Sequence, residues 1–202
     1  MIMDEVAKAC EKLDNPPEII WLKRGMHKTP ELLGQSLQQV IDSYQDRDTI
    51  LLTYGLCGGS TLGISSANAQ LVIPRFHDCI HQLRQKTEEP GHLYLTRGWT
   101  LDAESIYQQS CLILKRYGEQ YGAEILEELY GGYDTIDVID TGAYPVDEVV
   151  EHAARTAELL HKKVNKIPGS TVILKKLFTG NWDKDFIVLE PGEALTLEHF
   201  QF

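Results

Sequence analysis

Along the chain, short continuous apolar runs alternate with longer stretches in which apolar residues recur every three or four positions. The second pattern marks one buried face of a helix, the first a strand buried on both faces. Residues 2–13 read as a short helix ended by Asp14-Asn15-Pro16-Pro17, because consecutive prolines cannot continue helical hydrogen bonding. Residues 18–22 (EIIWL) read as a first strand. Thr29-Pro30-Glu31 then opens a helix with a hydroxyl cap, a proline at N1 and an acid in the first turn. Leu33, Leu37, Val40, Ile41 and Tyr44 form its apolar face. Further strands are expected at 49–54, 71–73, 93–96, 136–139 and 186–189. Helices are expected over 102–130 (broken near Gly118 or Gly122), 146–163 and 170–178.

Strands of this kind, separated by helices, predict a mostly parallel sheet covered on both faces: an α/β fold of the three-layer α/β/α sandwich type. With 202 residues, no repeat and no linker-like stretch, residues 1–202 are expected to form a single domain. The most polar break, 87–91, is short enough to be a surface turn.

Charge narrows the picture. Nineteen basic against thirty acidic side chains leave a formal net charge of −11, which argues against a general nucleic-acid surface, since that needs a cationic face to displace counterions. No apolar run approaches the ~20 residues that cross a bilayer, so no membrane span is expected. Met1-Ile-Met-Asp-Glu lacks the basic start of a signal peptide, so the expected location is cytoplasmic. There, four cysteines (Cys10, Cys57, Cys79, Cys111) are free thiols or metal ligands rather than a disulfide framework.

In an open α/β sheet, ligands bind outside the carboxyl ends of the strands. The segments expected there carry most of the chemistry. Gly55–Gly63 (GLCGGSTLG) holds four glycines in nine residues, including Gly55, Gly58 and Gly59. It is neither a Walker loop nor a GxGxxG fingerprint. It is either a close-approach cradle for a large cofactor or a tight turn. Cys57 within it is either inert or a thiol whose pKa is lowered by surrounding amides. Next comes His77-Asp78-Cys79. Together Cys57, His77 and Cys79 offer two thiolates and an imidazole, which suit zinc in an open, catalytic arrangement. His77 and Cys79 share a face only if the segment is extended, so one of this group is otherwise a helix cap. Arg24, Arg75 and Arg97 follow successive strands. Guanidinium forks hold carboxylate or phosphate, so a small anionic substrate is expected despite the acidic whole, unless salt bridges consume the arginines. Trp99 and Tyr54 either stack on a planar ligand or fill the core. His81, His92, His152, His161 and His199 read as isolated or on helix surfaces. A Cys57/His77 hydrolase lacks a readable oxyanion arrangement beyond the glycine amides, and no GxSxG elbow is present.

YGLCGGSTLG (54–63), PRFHDCI (74–80) and YLTRGW (94–99) resemble the linked motifs of an uncharacterised family common in anaerobic bacteria and methanogens. His27 followed by Pro30 and Leu33, IDTG (139–142) and GNWDKDF (180–186) are similar too. The resemblance covers nearly the whole chain. It implies an association with corrinoid-dependent methyltransferase systems, and hence one-carbon transfer involving methylated amines or ethers. It also implies an additional first strand ending in a cysteine ahead of the helix at 2–13, which this chain lacks. In that case His27 or His77 would substitute as a ligand.

The resulting expectation is a zinc-binding enzyme or metal carrier acting on a small anionic or methylated substrate. Cys57 and Cys79 are its ligands, with His77 or His27 as the third. Arg75, Asp78 and Arg97 are its substrate-handling residues, and a corrinoid protein or methyltransferase is a candidate partner. The alternative is a non-catalytic accessory module in which Gly55, Gly58 and Gly59 receive a corrinoid or nucleotide cofactor.

Overall fold

Eight α-helices and six β-strands are assigned in a computed structural model that describes residues 1–101 and 105–201. Residues 102–104, at the start of the helical stretch expected over 102–130, lie outside the described residues. The fold is mixed α/β, and the strands form two three-stranded sheets, ordered β1-β2-β6 and β3-β4-β5. The second is parallel throughout. The first pairs β1 and β2 in parallel and β2 with β6 antiparallel. By spatial clustering the chain divides into two compact units, one of residues 5–86 and 171–202, the other of 1–4 and 87–170.

The first unit contains most of α1 (Met3–Cys10), then α2 (Pro30–Ser43), β1 (Thr49–Leu51), β2 (Gln70–Pro74), α3 (Cys79–Arg84), α8 (Val172–Phe178) and β6 (Phe186–Leu189). α2 starts where the Thr-Pro-Glu signal places it, with Pro30 in the first turn, and it buries Leu33, Leu37 and Ile41. These pack with Leu71, Ile73, Ile187 and Leu189 from one side of the sheet. Val72 joins Phe76, Ile173, Leu177 and Phe186 in a second cluster, so alternate β2 residues serve different cores, as the two-residue period of a strand requires. The expected strand at 18–22 does not form: Ile20 and Trp21 are 43% and 49% exposed, and without a partner the run stays irregular.

In the second unit, β3 (His92–Leu95), β4 (Thr135–Asp140) and β5 (Lys163–Pro168) carry α4 (Arg97–Thr100), α5 (Ile106–Tyr117), α6 (Glu119–Tyr130) and α7 (Val146–Leu160). Gly118 separates α5 from α6 with φ +78°, a conformation glycine adopts without steric cost. One sheet face, with Leu95, Ile136 and Val138, packs against Val149, Ala153 and Ala157 of α7. The expected helix at 146–163 ends earlier because His161 turns left-handed at its C-terminus, and the chain then enters β5. β5 is largely exposed and carries Lys163 and Lys166. Its polar character hid it from a search for apolar strands.

Candidate functional site

The parallel pairing of β1 and β2 continues past the strand ends. The backbone N–H of Leu56 donates to the Phe76 carbonyl at 2.8 Å, and that of Cys57 to the His77 carbonyl at 2.7 Å. Two loops are thereby laid side by side. Gly55 is required by that approach, since a Cβ there would lie 2.2 Å from the Phe76 oxygen. The buried Thr61 hydroxyl closes the turn onto the Gly55 carbonyl at 2.9 Å. Cys57 itself has φ +47°, followed by Gly58 at +68° and Gly59 at +87°. Close packing and left-handed turn geometry thus account for Gly55, Gly58 and Gly59 in local terms.

Asp78 is extended, and its carboxylate accepts the His81 N–H at 2.8 Å, capping α3. Cys79 is the first residue of that helix, so of the His-Asp-Cys triplet it is Asp78 that serves as the cap. Cys57 and Cys79, both partly buried free thiols, fall within electrostatic range of each other and of Tyr54. Burial pushes the Cys57 thiol up to about 12; a hydrogen bond from the Gly55 backbone pulls the other way, and the Asp78 charge adds to the rise. Of the two readings of Cys57, the inert thiol is favoured over the one with a lowered pKa: one amide does not offset removal of a thiolate from water. Cys79 is raised as well, first by burial, then by Cys57, Asp78 and the fully buried Glu5. Tyr54 is raised to about 12 by burial and by the two thiols.

The remaining candidates are distributed differently. His77 is exposed, its ring stacked on that of His81 with centroids 5.1 Å apart. His27 lies in a short 3₁₀ turn, Met26–Lys28. Arg75 is directed to β6: its guanidinium donates to the Phe186 carbonyl at 3.4 Å and its N–H to the Asp185 carbonyl at 2.8 Å. Arg97 belongs to the other unit, where it contacts Asp4 at 3.0 Å and Glu148 at 3.7 Å. Trp99 packs on the core of that unit, and Tyr54 packs on the core under α2. Among the described residues, no group of three His, Cys, Asp or Glu side chains is arranged to hold a metal ion. The thiol pair is therefore a two-donor cluster with acidic surroundings.

Three participants escaped the sequence reading. Glu5 sits in a helix that gives no motif. Gln82, fully buried in α3, has neither amide atom hydrogen-bonded among the described residues. In the other unit, His92 is not isolated: its Nδ1 lies 2.8 Å from Oδ2 of buried Asp137, whose Oδ1 accepts from Asn165 at 3.2 Å. The Tyr94–Asp137–Asn165 register across the three strands could have revealed part of this network, had β5 been recognised.

These features define a mixed α/β protein with a thiol pair at the ends of two parallel strands. Residues 21–178 match the model of a family described as a protein of unknown function, DUF1638, and the chain belongs to that family. Comparison with curated proteins and with solved structures returns no significant match. No helix among the described residues is long and apolar enough to cross a membrane.

Proposed function

We propose that the Cys57–Cys79 pair is a binding site for a soft metal ion, with zinc the first candidate, in a protein that acts on a small substrate of one-carbon metabolism. The observation that carries this reading is the backbone pairing of residues 56–57 with 76–77, which brings two thiols from distant segments into electrostatic range. Thiolates are the donors that soft transition ions select. Two thiols fit zinc in kind but fall short in number, because catalytic zinc takes three protein ligands. The third ligand would be the exposed His77, two residues before Cys79, whose ring is stacked on His81 and not arranged with the two thiols in this structure. A zinc ion held there would act as a Lewis acid toward a thiol, a methyl acceptor or water.

The protein's own residues supply the setting. Asp78 anchors α3 and so fixes Cys79, while Thr61 and Gly55 fix the turn that carries Cys57. Asp78 and Glu5 make the surroundings negative, which favours a cation and disfavours an anionic substrate at this spot. The substrate is therefore neutral or cationic, and the methylated class fits better than the anionic one. The link to corrinoid-dependent methyl transfer, and to a methyltransferase partner, rests on the family resemblance.

The test is equilibrium dialysis of fully reduced protein against zinc, followed by elemental analysis, with cobalt(II) thiolate absorption as a second readout. One equivalent is expected in the wild type, lost in Cys57→Ser and in Cys79→Ser, and weakened in His77→Ala. Absence of bound zinc in wild-type protein with both thiols reduced would overturn the reading.

A further inference from the structure

The run at 18–22 belongs to the first unit and joins neither sheet. Among the described residues, no backbone N–H or C=O of residues 19–23 is hydrogen-bonded to another group of the protein. Ile20 and Trp21 are about half exposed, and β-branched and aromatic residues favour strand geometry. Trp21 and Lys23 are exposed while Leu22 between them packs on the core under α2, the alternation that a strand shows. An unpaired run of this composition is a template for a strand from another chain.

We propose that residues 18–24 pair antiparallel with the same run of a second copy of this chain, about a twofold axis at Trp21. The sequence is self-complementary in that register. Glu18 and Arg24 lie three residues either side of Trp21, so each Glu18 falls opposite Arg24 of the other copy, once at each end of the pairing. Ile20 falls opposite Leu22 of the other copy, and the two Trp21 side chains meet at the axis. Cross-strand pairs of opposite charge, and of aromatic with aromatic, are each stabilising. Lys23 lies opposite Ile19, which its aliphatic stem can cover. Two copies of a chain with net charge −11 repel overall, and this run carries adjacent exposed cations, Lys23 and Arg24, where the copies would meet. Glu18 contacts Arg47 at 3.2 Å on the surface of its own copy through one carboxylate oxygen, which leaves the other for Arg24. Residues 18–24 make a contact smaller than the ~20–30 residues a side of a standard interface, so the dimer is a reversible one. Nothing in this pairing depends on the thiol site.

The experiment is sedimentation velocity of the full chain over a wide concentration series, with thermal unfolding of dilute samples to check that each variant is folded. Wild-type protein should show a concentration-dependent monomer–dimer equilibrium. Dimer affinity should fall about tenfold or more in Trp21→Ser, which removes the aromatic pair, and in Arg24→Glu, which sets acid opposite acid at both ends. Glu18→Arg should weaken it similarly by setting arginine opposite arginine. An equimolar mixture of Arg24→Glu and Glu18→Arg should associate again, because one copy then presents two acids and the other two arginines. Wild-type protein that stays monomeric throughout would overturn the proposal and leave the run to a partner of other chemistry. A dimer equally strong in Trp21→Ser and Arg24→Glu, or a mixture that associates no better than either variant alone, would overturn it as well.

Discussion

The Cys57 N–H donates to the His77 carbonyl at 2.7 Å, two residues before Cys79 in the chain. This single backbone contact aligns the cysteine-bearing turn after β1 with the cysteine-bearing helix start after β2. The thiol pair depends on that alignment, and two of its consequences can be measured.

Metal-free Cys57 should react slowly. Its pKa is raised from 9.0 to about 12 by burial, which leaves roughly a thousandfold less thiolate near neutral pH than an ordinary cysteine has. Alkylation by iodoacetamide, followed by mass spectrometry at pH 7.5, should label Cys57 and Cys79 after Cys10 and Cys111, or only after unfolding. Rapid labelling of Cys57 in the folded protein would contradict the burial argument. The same rise has a stability consequence. Between pH 9 and 12 the folded state keeps a proton that the unfolded chain releases, so stability present below pH 9 is lost as pH climbs through that window. Urea unfolding at pH 8 and pH 10 should show this loss, reduced in Cys57→Ser.

Gly55→Ala should disrupt the loop pairing, because the added Cβ would sit 2.2 Å from a backbone oxygen that cannot swing away. The expected cost is about 1–3 kcal/mol, read from chemical denaturation. Loss of the cobalt–thiolate absorption should accompany it even in the fraction that remains folded. Unchanged stability and absorption would show that the two loops are free to separate.

His92→Ala should destabilise the protein by about 1–3 kcal/mol, since it leaves the Asp137 carboxylate with a missing hydrogen-bond partner in a buried position. Asp137→Asn, which retains a group able to hydrogen-bond His92 and Asn165, should cost less. Denaturant midpoints of the two variants provide the measurement, and a neutral His92→Ala would mean the network contributes no net stability.

How much of this was legible beforehand depended on the range of each interaction. The Thr-Pro-Glu start of α2, the break at Gly118 and the 186–189 strand follow from local steric and hydrogen-bonding rules, which residues within one turn or one strand carry by themselves. β5 was concealed because an exposed strand has no apolar signature. The 18–22 run misled for the opposite reason: apolar character alone does not supply a pairing partner.

The candidate site divides along the same line. From the sequence alone came the elements, the mixed α/β class, the glycine-rich turn and the suspicion attached to Cys57 and Cys79, all properties of neighbouring residues. Tertiary structure alone decided that these two thiols come within electrostatic range of each other, that burial raises rather than lowers their pKa, and that Asp78 is a cap. It also decided that Arg75 and Arg97 are engaged elsewhere, and that Glu5 and Gln82 are buried. The physical reason is that desolvation and charge interaction depend on spatial neighbours, and the loop-to-loop hydrogen bonds that choose those neighbours join residues about twenty positions apart.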